Sequence, residues 1–399
     1  MKRIRSFGRG FVAGAIASVF AGLVVAHPAI GSEMEADTSV KAASIGQAGE
    51  KCPCDGDKEI TDVLMPIRQK HKLPALAGAI VTSKGLTSVG AVGVRKAGED
   101  VAVTVGDEWH LGSDTKAMTA TLIGALVEQG KLRWDTTIEE ALPELAADIQ
   151  PELRKVTIVQ LLTHVAGLRE NLDWRAISRS GTVREQRQAV LKMAGAKKLK
   201  SPPGTEFRYS NVGYVIAGAI AEKVANISWE DQISKTIFEP LGMTHAGFGG
   251  TGTAGKIDQP WGHRANGEAA PRNGPDMDNP PVLGPAGTVH CPIGDWAKFI
   301  ADQLRGAQGK GALLRPETYR KLHTPVSGEG ALGWLAVQRD WGGGTVLTHA
   351  GSNDMNFAVV WLAPERDFAV LVCTNQGGDG AKKACDEAAA GLIALQVKK

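Results

Sequence analysis

One segment constrains both the fold and the chemistry of this chain. Residues 110–116 read His-Leu-Gly-Ser-Asp-Thr-Lys, and an apolar run follows without a break from Ala117 to Val127. Because apolar residues occupy every side of that run, it predicts a buried helix and not an amphipathic surface helix. The first turn of this helix carries a hydroxyl and an amine.

Ser113 and Lys116 are three residues apart, which places them on the same face of a helix and within reach of each other. A serine hydroxyl is a weak nucleophile until a neighbouring base or amine accepts its proton. This spacing is expected about once by chance in a chain of this length. The functional interpretation of the motif is favoured because Ser-x-x-Lys occurs once in the chain, at the start of an apolar helix, and because two further motifs follow it.

Composition and charge indicate a globular protein and argue against a nucleic-acid-binding function. The chain has 399 residues, of which 43% are hydrophobic and 22% are charged, as in a globular protein with a large core and room for two lobes. The net charge is +2, and no basic stretch with interleaved aromatic residues occurs, so we expect no nucleic-acid partner.

The N-terminus predicts export. Four basic residues between Lys2 and Arg9 precede an apolar run over residues 11–25, which ends in small side chains near Ala26. We interpret residues 1–26 as a signal peptide and expect a secreted or periplasmic protein with no stable membrane anchor after cleavage. The alternative is a membrane anchor, but the run is shorter than the roughly 20 residues that span a bilayer. Residues 27–57 read as a flexible linker and residues 58–399 as the folded domain.

The chain has five cysteines, an odd number that leaves at least one free thiol. Cys52-Pro-Cys54 has no histidine or second cysteine pair at zinc spacing, so no metal site is expected. A disulfide from this stretch to Cys385 is one hypothesis. Cys373 lies in an apolar strand and is expected in the core.

The order of predicted elements indicates an α+β fold. Strands are expected at both ends of the chain, and helical patterns dominate between them. Together they predict one antiparallel sheet built from the two chain ends, flanked by terminal helices, with an all-helical lobe inserted at about residues 107–290. Residues 244–288 have no clear periodicity and are expected to form a long irregular segment that covers a site. The predicted helices are 59–71, 113–127, 138–145, 157–164, 183–193, 211–224, 229–238, 293–304 and 379–396, and the predicted strands are 75–83, 86–94, 333–337, 344–348, 356–362 and 368–373.

Two motifs follow Ser-x-x-Lys along the chain. Tyr209-Ser-Asn211 begins a helical pattern, and a phenol near a cationic lysine is expected to have a lowered pKa that suits it to proton transfer. The alternative is a core tyrosine followed by an asparagine N-cap. His349-Ala-Gly351-Ser352 lies at the end of an apolar strand. The same triplet occurs at His245, where it enters the irregular segment, so only its context distinguishes the second copy.

Two other motifs are rejected. Residues 250–256 have the spacing of a phosphate-binding loop, but Ile257 stands where a magnesium-binding Ser or Thr is needed. Gly-x-Ser-x-Gly does not occur in the chain, which argues against an α/β-hydrolase nucleophile. No cofactor is therefore expected.

The three motifs, in that order, resemble the serine β-lactamase and penicillin-binding-protein superfamily, on its class C β-lactamase, D-alanyl-D-alanine carboxypeptidase and esterase side. The likeness runs from about Glu59 to the C-terminus and implies the β-lactamase/transpeptidase-like fold. Other stretches that resemble this family are residues 161–168 (LLTHVAGL), 203–205 (PGT), 240–243 (PLGM) and 284–287 (GPAG).

The resemblance also implies roles for individual residues. Ser113 would be the nucleophile, Lys116 its activating partner and Tyr209 the general base. Asn211 would bind the acyl-side amide carbonyl of the substrate. The backbone N–H groups of Ser113 and Ser352 would form an oxyanion hole, with Gly351 beside them.

One departure from the family pattern concerns the substrate. β-Lactamases usually carry Lys-Thr-Gly where this chain has His349-Ala-Gly351, and a histidine there is found in esterases, D-aminopeptidases and some carboxypeptidases of the family. We therefore expect an exported serine hydrolase that cleaves an ester or a D-amino-acid amide in a small-molecule or peptidoglycan-derived substrate. The alternatives are a class C β-lactamase and a non-catalytic peptidoglycan-binding or sensor protein. An unperturbed His349 would titrate near pH 6.5 and attract anionic substrates more strongly as the pH falls.

Overall fold

A computed structural model describes residues 54–274 and 277–398, and in these ranges the chain forms ten strands and fourteen α-helices. The strands are β1 (Cys54–Gly56), β2 (Ala75–Thr82), β3 (Gly85–Gly93), β4 (Glu108–His110), β5 (Gly247–Phe248), β6 (Val289–Pro292), β7 (Leu335–Arg339), β8 (Gly344–Ser352), β9 (Phe357–Ala363) and β10 (Phe368–Thr374). The helices are α1 (Lys58–His71), α2 (Thr115–Glu128), α3 (Ile138–Ala141), α4 (Pro151–Arg154), α5 (Ile158–Leu162), α6 (Trp174–Ile177), α7 (Val183–Gly195), α8 (Asn211–Ala225), α9 (Trp229–Ile233), α10 (Glu239–Leu241), α11 (Gly284–Gly287), α12 (Ile293–Ala307), α13 (Pro316–His323) and α14 (Asp379–Val397).

The main sheet has seven strands in the order β1-β3-β2-β10-β9-β8-β7, and every neighbouring pair is antiparallel. The predicted sheet from both chain ends is therefore confirmed. Its central pairing joins the two ends of the folded domain, with Leu76 opposite Thr374 and Val81 opposite Ala369. The α+β class is confirmed with it.

Helices cover both faces of this sheet. Alternate residues along each strand point to opposite sides, so each strand contributes side chains to a core on either face. On one face, Leu76 and Ile80 pack with Leu64 of α1 and Leu392 of α14. On the other face, alanines of β2 belong to a second core that also contains Phe299 of α12. The sheet is thus buried on both sides, and β2 is buried along almost its whole length.

The inserted lobe contains a small sheet as well as helices, so the prediction of an all-helical lobe is wrong. Strands β4, β6 and β5 form a three-stranded antiparallel sheet in which Trp109 pairs with Cys291 and Phe248 with Val289. These strands are two to four residues long, too short for alternation to be visible in the sequence. The small sheet matters because β4 leads directly into Ser113.

Several boundaries also differ from the sequence-based prediction. Pro143 follows the end of α3 and begins a 3₁₀ segment, Pro143–Asp148, so the predicted helix 138–145 is interrupted. The predicted helix 229–238 divides into α9 and a π-helical turn, Ser234–Phe238. Helix α13 was not predicted. The predicted irregular segment, residues 244–288, contains little regular structure besides β5 and α11.

The start of the folded domain lies earlier than predicted. Residues 54–56, assigned to the linker, form an edge strand in which Cys54 pairs with Val92 of β3. The predicted signal peptide, 1–26, and most of the predicted linker, 27–57, lie outside the described residues. Among the residues that are described, no helix is long and apolar enough to cross a membrane.

The predicted disulfide between the Cys52–Cys54 stretch and Cys385 is not formed. Cys54 is exposed, Cys385 is buried against the main sheet, and both are free thiols. Cys52 lies outside the described residues. Cys373 is buried in β10, as predicted.

A buried arginine ties the helical lobe together. The Arg187 side chain on α7 is fully buried and forms an ion pair with Glu222 of α8 and one of 2.6 Å with Glu230 of α9. Its guanidinium also donates to the carbonyl oxygens of Pro281 (2.8 Å) and Val282 (3.4 Å). Arg187 therefore fixes the chain just before α11, which contributes to the candidate site.

We expect Arg187→Met to lower the free energy of unfolding by about 3–5 kcal/mol, because it leaves the carboxylate of Glu222 buried without its cation. Urea unfolding at 25 °C measures this loss. The matched control is Lys192→Met on the same helix, where the ion pair with Asp148 is about half exposed. That change should cost no more than about 1 kcal/mol. Equal losses in the two variants would contradict a structural role for the buried cluster.

Candidate active site

Ser113 is presented by a short turn between the small sheet and the buried helix α2. The turn is the 3₁₀ segment Gly112–Asp114, and α2 continues from Thr115. Two hydrogen bonds hold the turn against β6: Leu111 N–H donates to the Val289 carbonyl (2.9 Å), and Val289 N–H donates to the Thr115 hydroxyl (3.1 Å). As predicted, α2 is buried on all sides over nearly its whole length.

The structure brings the three predicted catalytic residues together around one hydroxyl. Lys116 Nζ lies 2.9 Å from Ser113 Oγ. Tyr209 Oη lies 2.7 Å from the same Ser113 oxygen, although Tyr209 is 96 residues away in the sequence. The Ser113 hydroxyl therefore lies between an amine and a phenol, both at hydrogen-bonding distance.

The Lys116 amine is fully buried, and three oxygens surround it. Besides Ser113 Oγ, these are Asn211 Oδ1 at 2.8 Å and the carbonyl oxygen of Ala286 at 2.6 Å. Burial lowers the pKa of Lys116 well below its ordinary value. A neutral amine has two hydrogens to donate and one lone pair to accept, which matches two acceptors and one hydroxyl donor.

The neighbouring acid Asp114 only partly offsets the effect of burial on Lys116. Asp114 is 2% exposed, and neither of its carboxyl oxygens has a hydrogen-bond partner. Burial raises the pKa of Asp114 well above its ordinary value, which disfavours the charged carboxylate.

Tyr209 differs from the sequence-based expectation. A nearby lysine was expected to lower its pKa, but burial raises the pKa of Tyr209 above its ordinary value, and the hydrogen bond with Ser113 only partly opposes this. The phenol therefore keeps its proton and donates it to Ser113 Oγ. The resulting arrangement is consistent: Tyr209 donates to Ser113, and Ser113 donates to the neutral amine of Lys116.

Asn211 lies beside the amine at the first turn of α8. Its Oδ1 accepts from Lys116, and its Nδ2 donates to Asn171 Oδ1 at 2.9 Å. The helix N-cap is Ser210, whose hydroxyl accepts from Gly213 N–H at 3.1 Å, so Asn211 is not the cap. Asn211 Nδ2 carries two hydrogens, so a second hydrogen remains to be donated besides the one that Asn171 accepts.

His164 is a site residue that the sequence analysis did not single out. Its ring packs against the rings of Tyr209 (4.6 Å between centroids) and Tyr214 (5.2 Å). Its Nδ1 accepts from the Ser210 N–H at 3.0 Å, and burial lowers its pKa well below the ordinary value. A neutral His164 therefore fixes the ring of Tyr209 without adding charge. The sequence signal that could have identified His164 is its position in residues 161–168, a stretch that resembles the family.

His349 is placed at the site but not as a titrating group. It is 7% exposed, and its Nδ1 donates to the carbonyl oxygen of Gly333 at 2.9 Å. Burial, with a further contribution from Lys116, lowers the pKa of His349 to about 3. The expectation that it titrates near pH 6.5 is therefore wrong, because the sequence does not reveal how deeply the end of β8 is covered.

Strand β8 passes very close to the turn that carries Ser113. Strand β7 begins at Leu335, opposite Thr348, so the residues of β8 beyond Thr348 have no partner in β7 and face the turn on that side. A Cβ atom on Gly351 would lie 2.4 Å from Ser113 N, and one on Gly112 would lie 2.4 Å from Ser352 N. Because neither glycine has a side chain, the two segments can approach this closely. The backbone at Ser113 therefore lies beside the backbone at Ser352.

Comparisons with known proteins give one family model and several similar proteins. A family model described as Beta-lactamase matches residues 60–395. Penicillin-binding protein 4 of Amycolatopsis lactamdurans is 28% identical over 325 residues, covering 78% of this chain and 83% of that protein. Protein flp of Staphylococcus aureus (strain COL) is 22% identical over 330 residues, covering 80% of this chain and 63% of that protein.

A solved structure shows the same fold. The D-alanine carboxypeptidase AmpC from Burkholderia cenocepacia superimposes with a TM-score of 0.68 at 19% identity, covering 84% of this chain and 98% of that chain. At this level of identity the likeness concerns the fold alone.

We expect Gly351→Ala to reduce kcat by at least about 100-fold, because the added methyl group would lie 2.0 Å from the Leu111 carbonyl oxygen and must push β8 away from Ser113. Steady-state kinetics with an activated ester measure the loss. The control is Gly380→Ala in α14, where a Cβ atom meets nothing within 4 Å and turnover should not change. Normal turnover in Gly351→Ala would show that the close approach is not required.

Proposed function

This chain belongs to the beta-lactamase family of serine hydrolases, and from that premise we propose that it is an exported enzyme that cleaves an ester or a D-amino-acid amide through an acyl-Ser113 intermediate. The observation that carries the proposal is the position of the Ser113 hydroxyl between the neutral amine of Lys116 and the phenol of Tyr209. Nucleophilic catalysis by serine needs such a proton acceptor within hydrogen-bonding distance.

Acylation begins with transfer of the Ser113 proton. As Ser113 Oγ attacks the substrate carbonyl carbon, its proton passes to Lys116 Nζ, which is neutral and already hydrogen-bonded to it. The carbonyl oxygen becomes an oxyanion that accepts hydrogen bonds from the N–H groups of Ser113 and Ser352. This first proton transfer assigns the role of base to Lys116, whereas the family resemblance implied Tyr209.

Collapse of the tetrahedral intermediate requires a proton for the leaving group. Tyr209 donates its phenolic proton to the departing oxygen or nitrogen, and the ammonium of Lys116, which lies 4.8 Å from the centre of the Tyr209 ring, then returns a proton to the phenolate. In deacylation, water attacks the acyl-Ser113 carbonyl carbon and its proton is taken by the same pair. Ser113 leaves with a proton, and the starting arrangement is restored.

One feature of the site supports a substrate without an essential carboxylate. His349 stands where β-lactamases usually carry a lysine, and its lowered pKa keeps the imidazole neutral. This favours an ester or an uncharged amide, from a small molecule or from peptidoglycan, over the substrate of a class C β-lactamase. Asn211, which offers an amide for the acyl-side carbonyl, suits either kind of substrate.

The alternative of a non-catalytic binding or sensor protein is less well supported. Such a protein would need no buried amine beside a hydroxyl, and burying Lys116 is costly. Export to the periplasm or the exterior remains part of the proposal and is supported by the signal-peptide pattern of residues 1–26.

We expect Ser113→Ala to fold normally and to reduce turnover of an activated ester by at least about three orders of magnitude, because no other group can form the acyl intermediate. Mass spectrometry of wild-type protein labelled with a fluorophosphonate should place the adduct on Ser113. The control is Ser178→Ala, whose hydroxyl has no hydrogen-bond partner, and which should keep full turnover. Turnover of the Ser113→Ala variant at the wild-type rate would refute the assignment.

We expect the ratio of kcat/KM for an anionic ester to that for a neutral ester to stay constant from pH 5.5 to 8.5. His349 has its pKa near 3 and does not change charge in that range. Both substrates should be measured at constant ionic strength, since screening alters weak electrostatic effects. His245→Ala, which removes the exposed histidine of the other triplet, serves as a control and should leave the ratio unchanged. A ratio that rises as the pH falls through 6.5 in both proteins would mean that His349 does titrate.

A further inference from the structure

A chain of hydrogen bonds behind the site joins two elements that are far apart in the sequence. His110, at the end of β4, places Nε2 2.8 Å from Asp278 Oδ2, and both side chains are 1% exposed. Asp278 belongs to the irregular segment 244–288. Its other carboxyl oxygen, Oδ1, accepts from Asn353 Nδ2 at 2.8 Å.

The two ends of this chain reach the two sides of the proposed oxyanion hole. The N–H of Gly112 donates to His110 Nδ1 at 3.1 Å, and Gly112 directly precedes Ser113. Asn353 directly follows Ser352. Asp278 therefore connects, through one side chain on each side, the two backbone segments whose N–H groups would bind the oxyanion.

The hydrogen-bond pattern fixes the tautomer of the histidine. Because Nδ1 of His110 accepts from Gly112, the ring proton lies on Nε2 and is donated to Asp278. The Asp278 carboxylate thus accepts from a ring N–H and from an amide N–H, one on each oxygen. Hydrogen bonds to an ionised carboxylate are roughly twice as strong as those between neutral groups.

The asparagine at the other end is also held in one orientation. Asn353 Oδ1 accepts from the Met355 N–H (3.3 Å) and from Asn356 Nδ2 (3.1 Å). Its Nδ2 is consequently the group that faces Asp278. Each polar atom of the Asn353 amide group thus has a hydrogen-bond partner.

We propose that Asp278 is a positioning residue that, through His110 and Asn353, holds the N–H groups of Ser113 and Ser352 at the separation an oxyanion requires. Donors in an oxyanion hole must lie about 2.7–3.1 Å from the oxygen of the transition state, and a displacement of about 1 Å can cost about 100-fold in rate. The close packing of Gly112 and Gly351 keeps the two segments in contact. The network adds a hydrogen-bonded link between them that is independent of the sheet pairing of β8 and of the contacts of the turn with β6. This inference rests on the proposed acyl-transfer function.

The first experiment compares Asp278→Ala and Asp278→Asn in the full chain, using an activated ester and an arylboronic acid that forms a tetrahedral adduct with a reactive serine. Asp278→Ala should lower kcat by about 10–100-fold and raise the Ki of the boronate by a similar factor, with KM within about threefold of wild type. Asp278→Asn should give a smaller loss, because its single oxygen can accept from only one of the two donors.

A second pair of variants tests each half of the histidine contact. In His110→Asn, the amide oxygen lies where Nδ1 was and can accept from Gly112, but the side chain does not reach Asp278. In His110→Gln, the amide nitrogen lies near the position of Nε2 and can donate to Asp278, but the contact with Gly112 is lost. Since the connection must be continuous, both variants should lower kcat and weaken boronate binding.

The control for general destabilisation is Asp302→Asn. Asp302 is fully buried, accepts from the Ala312 N–H at 2.7 Å and from Tyr319, and lies on α12 away from Ser113. This variant should melt at a lower temperature yet keep kcat and boronate affinity at temperatures where it is folded. Folded Asp278 and His110 variants that behave in the same way would overturn the proposal, since the network would then only stabilise the fold.

Failure of the proposed function gives a different result. If wild-type protein neither turns over the ester nor forms a fluorophosphonate adduct at Ser113, the acyl-transfer assignment is wrong. If wild type is active and labelled at Ser113 while Asp278→Ala keeps kcat and boronate Ki, the assignment stands and the role of Asp278 is wrong.

Discussion

The burial of Lys116 is the constraint on which the rest of the site depends. Burial of an ammonium ion at a position with no solvent access is unfavourable and lowers the pKa of Lys116, which favours the neutral amine. An amine needs one donor and two acceptors, and these come from the turn before α2, from the start of α8 and from α11. Those three elements, distant along the chain, are assembled around one nitrogen. The buried Arg187 cluster fixes the chain just before the third of them.

The local parts of the site could be predicted from the sequence, because short motifs carry them. Ser113 and Lys116 are one helical turn apart, and Tyr209 and Asn211 begin a helix with a strong apolar pattern. The sheet built from both chain ends was also predictable. Its strands are five to nine residues long, apart from the three-residue edge strand β1, and strands of that length show a hydrophobic pattern in the sequence. Family resemblance then placed these elements in one fold.

The parts that were missed or wrong depend on contacts between distant segments. Whether Tyr209 gains or loses acidity, and whether His349 titrates, is decided by burial, which no spacing in the sequence reveals. The resembling stretch 284–287 contains Ala286, but it does not reveal that the Ala286 carbonyl accepts from Lys116, and no motif marks the amide of Asn171 beside Asn211. The three short strands of the small sheet escaped detection because each is held by its neighbours more than by its own pattern.

The pairing at the centre of the main sheet has a consequence for the order of events during synthesis. Leu76 lies opposite Thr374, and α14 then covers the sheet with α1. The ribosome must release nearly the whole chain before β2 acquires the neighbour that buries it. Such non-local pairing is characteristic of slow folding. Strand β2 therefore lacks one of its two native neighbours until synthesis is almost complete, a period in which its unpaired edge is exposed to aggregation.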